Sequence, residues 1–174
     1  MELKGNIVIL SDDLDGKNAV EISKIASDPE ISRSIGSHGF PFPYTEEDAL
    51  FFLEKNRSAG GFYFQRDFII RSEGRIVGII GLSDIDSEDM NAHVGYWIGK
   101  AYWNHGYASD ALSVICNYAD HVLHLRKLYT RVLEFNLRSL RVLMKNGFVV
   151  EGFIRDCFRM DNRFYSMFDV SRLF

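Results

Sequence analysis

The chain has 174 residues, long enough to bury one core without disulfides or a metal, and it is expected to fold as a single domain over 1–174. With 47% hydrophobic residues, 25% charged residues and three prolines, both disorder and collagen-like order are excluded. Twenty Lys and Arg stand against 24 Asp and Glu for a net charge of −4, and no basic run is longer than a pair, so nucleic acid is not an expected partner.

Residues 6–10 form an apolar, β-branched run that predicts a first strand, and Ser11-Asp12-Asp13 supplies N-cap chemistry for a following helix. Ala19, Ile22, Ile25 and Ala26 recur at helical spacing up to Asp28-Pro29, where proline is expected to stop the helix. Residues 36–44 hold two glycines and two prolines among aromatics, the composition of an ordered surface loop of the kind that touches ligands. Thr45-Glu46-Glu47-Asp48 has the form of a capping box, and Ala49, Leu50, Phe52 and Leu53 give the helix behind it an apolar stripe. Residues 62–71 and 75–82 read as a hairpin turned at Ser72-Glu73-Gly74. A polar loop, 83–91, leads to a third antiparallel strand at 92–99. Its acidic residues Asp84, Asp86, Glu88 and Asp89 fit a solvated loop and equally a lure for a cationic amine.

A long helix over about 106–124 carries Ala108, Ala111, Leu112, Ile115, Ala119, Val122 and Leu123 on one face. The strand 127–133 after it completes a right-handed strand, helix, strand unit with parallel strands. A short helix over 138–145 ends at Asn146-Gly147, and strands 148–158 and 163–173 flank a turn at Met160-Asp161-Asn162.

Cys116 and Cys157 lack CxxC or Cys/His ligand spacing, so no metal is expected, and both read as reduced core or near-core thiols of a cytoplasmic protein. The first residues lack a signal-peptide pattern, and no apolar run approaches the roughly 18 residues of a membrane helix, so no membrane partner is expected.

The stretch Trp103-Asn104-His105-Gly106-Tyr107-Ala108-Ser109-Asp110-Ala111-Leu112 sets a glycine and small residues before the long helix. A strand, a tight loop and a helix starting near Gly106 would aim unpaired backbone N–H groups and the positive end of the helix dipole at one point, an anion site suited to a diphosphate. Gly106 admits close approach, Ala108 keeps the next turn clear, and Asn104, His105 and Ser109 can donate hydrogen bonds. The dinucleotide GxGxxG and the nucleotide P-loop GK[ST] patterns are both absent, the chain having Gly16-Lys17-Asn18 and Gly99-Lys100-Ala101.

Taken in order, the meander, long helix and strand, followed by "FNLRSLRVLMKNGFVVEGFIRD" at 135–156, resemble the GNAT superfamily of N-acetyltransferases. The nearest branch is that of the ribosomal-protein alanine and serine N-terminal acetyltransferases (RimJ/RimL-like). "GYWIGKAYWNHGYASDAL" at 95–112 is similar to the acetyl-CoA motif, "NLRSLRVLMKNGF" at 136–148 to the second cofactor-flanking motif, and "PYTEEDALFFL" at 43–53 to a common second helix. The resemblance implies a mixed α/β fold. Its sheet is mostly antiparallel, splayed at one parallel pair to admit acetyl-CoA, and carries helices on both faces. It implies a pantetheine ladder along Trp97, Ile98 and Gly99, a diphosphate site over Trp103, Asn104, His105, Gly106, Tyr107, Ala108 and Ser109, and a cofactor contact from Asn136. Ser139 is similar to a serine that donates a proton to the leaving thiolate. Departures stand at Trp103, where Arg or Gln is frequent, at Leu143, near the place of a tyrosine acid, and at Ala92-His93-Val94, where a glutamate is common.

Transfer from a thioester to an amine needs a group to receive the amine's proton. His93 has a reference pKa of about 6.5 and shares a strand face with Gly95 and Trp97, so it fits that role, and it equally fits a strand histidine with none. Asn136 equally fits a helix N-cap, and the two roles can coexist. Arg141 and Lys145 fit phosphate contacts or plain solvation, while Tyr107 and Tyr118 read as packing residues, with Tyr165 more open. The expected function is acetyl transfer from acetyl-CoA to a primary amine by direct attack in a ternary complex. The favoured acceptor is a protein N-terminus reached through residues 34–43 and the last hairpin. The alternatives are a small amine (polyamine, amino sugar or amino acid) and a non-enzymatic acyl-CoA-binding module; a homodimer is left open.

Overall fold

Alternating apolar side chains assemble the sheet that positions everything else. In the computed structural model, which describes residues 1–36, 40–58 and 64–174, the strands are β1 (Glu2–Lys4), β2 (Ile9–Ser11), β3 (Gln65–Ser72), β4 (Arg75–Asp86), β5 (Asn91–Ile98), β6 (Lys127–Leu133), β7 (Val149–Met160) and β8 (Arg163–Leu173). They form one sheet in the order β1-β2-β3-β4-β5-β6-β8-β7, antiparallel throughout except between β5 and β6. The helices are α1 (Ala19–Ala26), α2 (Pro29–Ile35), α3 (Glu46–Ser58), α4 (Tyr107–His121) and α5 (Leu137–Lys145).

Strand alternation divides the core in two. Phe68, Ile70, Ile80, Leu82 and Val94 point to one face, where Leu112, Ile115 and Leu143 of α4 and α5 cover them. Ile69, Ile76 and Ile79 point to the other, against Ile22 and Ala26 of α1 and Leu53 of α3. The mixed sheet with helices on both faces is the fold class read from the sequence.

Several local readings need correction. Residues 6–10 are not one strand: the chain turns after β1, and the Asp110 carboxylate accepts the amides of Asn6, Ile7 and Val8, which draws them out of a ladder. Ser11 closes β2 and does not cap a helix; Asp15 caps a short 3-10 turn and α1 starts at Ala19. Pro29 starts a helix where it was expected only to end one. It occupies the first turn of α2, whose amide at Glu30 is capped by Asp28. β4 runs on through residues 83–86, past a register irregularity. The turn beyond it is closed by Asp86, which accepts the amides of Glu88 and Asp89. α4 ends at His121, three residues short of the expected 124. Cys116 is buried as expected, but Cys157 is exposed: it lies in the irregular stretch between Ile154 and Phe158, where the β7–β8 ladder is interrupted. Residues 37–39 of the predicted loop and 62–63 of the predicted strand lie outside the described residues.

The capping box is present in full: Thr45 N donates to Asp48 Oδ2 at 2.8 Å and Asp48 N donates to Thr45 Oγ1 at 3.2 Å. The β3–β4 hairpin turns through Glu73 and Gly74 and the β7–β8 hairpin through Asp161 and Asn162, all four at positive φ.

Candidate active site

β5 and β6 pair only through Asn91↔Lys127, Ala92↔Leu128 and His93↔Tyr129. Beyond that point β5 keeps its ladder with β4 as far as Ile98, and β6 keeps its ladder with β8 as far as Leu133, so each follows its own half-sheet and the two part. A cavity of about 1020 Å³ occupies the opening, lined by the diverging strands and by the starts of α4 and α5. Gly99 N donates to Val77 O on β4 at 2.9 Å. By alternation the backbone groups of Val94, Tyr96 and Ile98 turn to the open edge, whereas those of Trp97 turn to β4. The Ile98 carbonyl already accepts the Trp103 indole N–H at 2.7 Å. Arg138 stacks on the other side of that interaction, its guanidinium 4.7 Å from the Trp103 ring centroid.

The long helix α4 begins without a side-chain cap, at a Gly106 with φ 85°. The left-handed turn there follows Asn104 at φ 64°, and His105 is fixed within it by a 2.7 Å bond between Nδ1 and the Trp103 carbonyl and by stacking on Tyr107 at 5.6 Å. Glycine suits that φ, and α4 places Tyr107, Ala108 and Ser109 along the cavity wall with their first-turn amides uncapped. The Ser109 hydroxyl accepts from Asn146 Nδ2 at 3.1 Å, clasping α4 to α5. Asp110 would oppose an anion here, but its carboxylate is engaged by the N-terminal turn. Burial would raise its pKa, and the amides of Ile7, Asn6 and Val8 outweigh that and hold it below the usual carboxylate range. Arg141 and Lys145 line the same cavity.

Asn136 is the N-cap of α5. Its Oδ1 accepts from Ser139 N at 3.2 Å and its Nδ2 donates to Ser34 O at 3.1 Å, leaving one amide hydrogen for a ligand. The Ser139 hydroxyl meets the Tyr96 hydroxyl at 3.0 Å. Burial pushes the Tyr96 phenol up to about 12, against the opposing pull of the Ser139 bond, so it stays a proton donor at any working pH. Tyr96 went unnoticed in the sequence, where it stands inside "GYWI". The period-2 alternation that put His93, Gly95 and Trp97 on one face also puts Tyr96 on the face of α4 and α5.

His93 sits at the last paired position before the strands part. Its Nδ1 lies 3.2 Å from Ser83 Oγ and its Nε2 lies 3.2 Å from Thr130 Oγ1, so it bridges β4 to β6. Burial lowers its pKa, with Asp84 pulling the other way and Arg131 adding to the fall, which leaves a neutral imidazole at pH 7. Neither hydroxyl partner stood out in the sequence. A second cavity of about 440 Å³ lies on the α1/α3 face of the sheet and shares His93, Gly95, Tyr96 and Trp97 with the first. Its aromatic wall is tied together by Phe40, stacked on Tyr44 at 4.7 Å and edge-on to Trp97 at 5.7 Å. Tyr118 packs edge-on against Phe68, and Tyr165 packs against Phe135, in line with structural roles.

Two half-sheets held apart beyond one short parallel ladder, with cavities on opposite faces meeting at β5, make an acyltransferase architecture that can bring a thioester and an amine together from two sides. The family model described as acetyltransferase (GNAT) domain matches residues 12–149, and the chain belongs to that family of N-acetyltransferases. It is 26% identical over 147 residues to the uncharacterized N-acetyltransferase p20 of Bacillus licheniformis, covering 84% of this chain and 82% of that one. It is 25% identical over 114 residues to the ribosomal-protein-serine acetyltransferase of Escherichia coli, covering 66% and 64%. The structure of Mycobacterium smegmatis RimJ in complex with CoA-disulfide superposes with a TM-score of 0.88 at 19% identity, over 99% of this chain and 86% of that one. The ribosomal-protein-serine acetyltransferase and the RimJ structure agree with the RimJ/RimL-like branch read from the sequence, and membership of an enzyme family displaces the binding-module alternative.

Proposed function

We propose that the protein transfers the acetyl group of acetyl-CoA to the N-terminal amine of a protein, by direct attack in a ternary complex. The observation that carries this reading is the meeting of two cavities at β5, where the neutral His93 and the Tyr96–Ser139 hydroxyl pair face the same break. The uncapped left-handed start of α4 fits a diphosphate, and the edge of Val94 and Tyr96, running on to the Ile98 amide, fits an extended pantetheine arm. Acetyl-CoA supplies the activated acetyl thioester; everything else is done by this chain.

The residues divide the proton work between them. Both His93 nitrogens are bonded to hydroxyls, so a proton leaving the acceptor amine reaches the imidazole through Ser83, which lines the acceptor cavity. On the other face Ser139 Oγ–H, bonded to the Tyr96 hydroxyl, donates to the departing sulfur, and the hydroxyl pair regains its proton from solvent through the open cavity. The acceptor cavity holds the half-buried carboxylate of Asp67, while Asp48 is engaged by its own capping box and Lys55 stands on the wall. Two carboxylates against one lysine give the cavity a net negative wall suited to a cationic amine, and Asp67 is the one of the two not already bonded in a helix cap. The free thiols Cys116 and Cys157 suit a cytoplasmic setting.

The test is thiol release from acetyl-CoA with seryl and alanyl peptides, their N-acetylated forms, and spermidine. Turnover on the free peptides well above that on spermidine is expected. Turnover on spermidine alone would overturn the acceptor, and none on any amine would overturn the reaction.

A further inference from the structure

The register across β3, β4 and β5 lays three rows of side chains side by side on the acceptor face. Ile69, Ile79 and Trp97 form one row; Gln65, Ser83 and His93 form another. Between them runs Asp67, Gly81, Gly95, in which two of three positions have no side chain. The result is a trough floored by glycine backbone that leads from Asp67 to the break beside β5.

Asp67 leans along this trough. A Cβ at position 81 would run into its Oδ1, so that oxygen stands over Gly81, one strand spacing of about 4.8 Å from Gly95. A Cβ at Gly95 would meet only His93 Cε1, at 3.6 Å, so the trough remains open on that side. Gln65 Nε2 steadies Asp67 Oδ2 at 2.7 Å and is itself bonded to Asn56 Oδ1 at 3.1 Å. Among the described residues, the ionisable groups around the same cavity are Tyr44, Asp48 and Lys55 from the α3 side and His93 from β5. Among the described residues the bond Asp67 makes is to Gln65 and not to a cation, and burial pushes its carboxyl up to about 6, against the opposing effects of Gln65 and Lys55. A half-buried charge beside aromatic walls, with one amide bonded to it and Lys55 acting on it only from a distance, gains stability when a cation joins it.

We propose that the Asp67 carboxylate is the group that receives the ammonium of the acceptor, at the far end of the glycine-floored trough. The proposal rests on the reading of this cavity as the acceptor side of an acetyltransferase. The ammonium docks between Asp67 and Gly95 and is thereby delivered beside His93, so Asp67 governs acceptor affinity and the hydroxyl groups govern the chemical step. Filling the trough by Gly95→Ala, which the fold has room for, should weaken the acceptor in the same way.

Binding is measured by calorimetry on the intact wild type and Asp67→Asn, with serylalanine amide and its N-acetylated counterpart as probes and acetyl-CoA as control. The expected result is free-amine binding at least 10-fold weaker in the variant, no such difference for the acetylated probe, and an unchanged acetyl-CoA affinity. Thermal unfolding supplies a readout that needs no ligand. A carboxyl held above its ordinary range loses stability as pH rises through the window from about 4 to about 6. The variant should therefore melt higher than wild type at pH 7.5 and together with it below pH 4. Equal amine binding by both proteins, or no amine binding by the wild type, overturns the proposal. A wild type that binds the amine through Asp67 yet transfers no acetyl group leaves the site standing and removes the enzymatic reading instead.

Discussion

Tyr96 and Ser139 show how a residue's role follows from what holds it. The serine hydroxyl is the smaller group and reaches into the open cavity, while the phenol behind it is half-buried, bonded to Ser139 Oγ and, at 3.3 Å, to the Ser139 carbonyl. A phenol whose pKa stands near 12 does not stay ionised, so the pair acts as a relay with the serine at its outlet and solvent in the open cavity as its source. Ser139→Ala should lower kcat by about 100-fold, the lower end of what a single proton-transfer group contributes, with acetyl-CoA affinity little changed. Tyr96→Phe should lower it less, and the double variant should be no slower than Ser139→Ala alone, because a relay broken at its outlet has nothing further to lose. Rate losses that multiply in the double variant would mean that the two hydroxyls act independently.

Between elements, the tie from Asp110 in α4 to the turn joining β1 and β2 has the largest consequence. One carboxylate takes the amides of Asn6, Ile7 and Val8 together with Asn6 Nδ2, and the glycine at position 5 is required because a Cβ there would run into Asp110. Asp110→Ala should cost about 2–4 kcal/mol, as expected when several amides lose an ionised partner. Its carboxyl is held below its ordinary range, so this stabilisation is complete above about pH 4 and fades as pH falls further. Melting curves at pH 7 and pH 3 should accordingly show a variant deficit that shrinks in acid. The same tie explains what could be read in the chain and what could not. The capping box at Thr45, the two hairpins and the start of α4 are written in residues within a few positions of one another, and they were legible. The break at Asn6 is not, since its cause lies over a hundred positions away. Pro29 is ambiguous by nature: the missing N–H that ends one helix is harmless in the first turn of the next. Tyr96, Ser83 and Asp67 were hidden because each is an ordinary strand residue until cross-strand register shows what stands beside it.

At the scale of the whole molecule, the sheet is two half-sheets joined through three residue pairs between β5 and β6, with the connection reinforced by His93 bridging Ser83 and Thr130. A ligand that lies in the opening and reaches both the edge of β5 and the start of α4 therefore binds the folded state across the seam between the half-sheets, and gains nothing from the unfolded chain. Mass action then fixes the size of the effect: at 100 times Kd a ligand adds about 2.7 kcal/mol. For a chain of 174 residues that corresponds to a rise in Tm of roughly 5–10 °C. Acetyl-CoA should produce this shift in the wild type. Gly106→Glu places a carboxylate and a strained side chain at a left-handed position where a diphosphate would sit, so it should abolish the shift. The substitution also strains the turn itself, so its ligand-free Tm is the reference for its own response, and far-ultraviolet circular dichroism should show the fold retained. An equal shift in both proteins would move the diphosphate away from the start of α4. No shift in a folded wild type would mean that the opening between the half-sheets holds something other than acetyl-CoA.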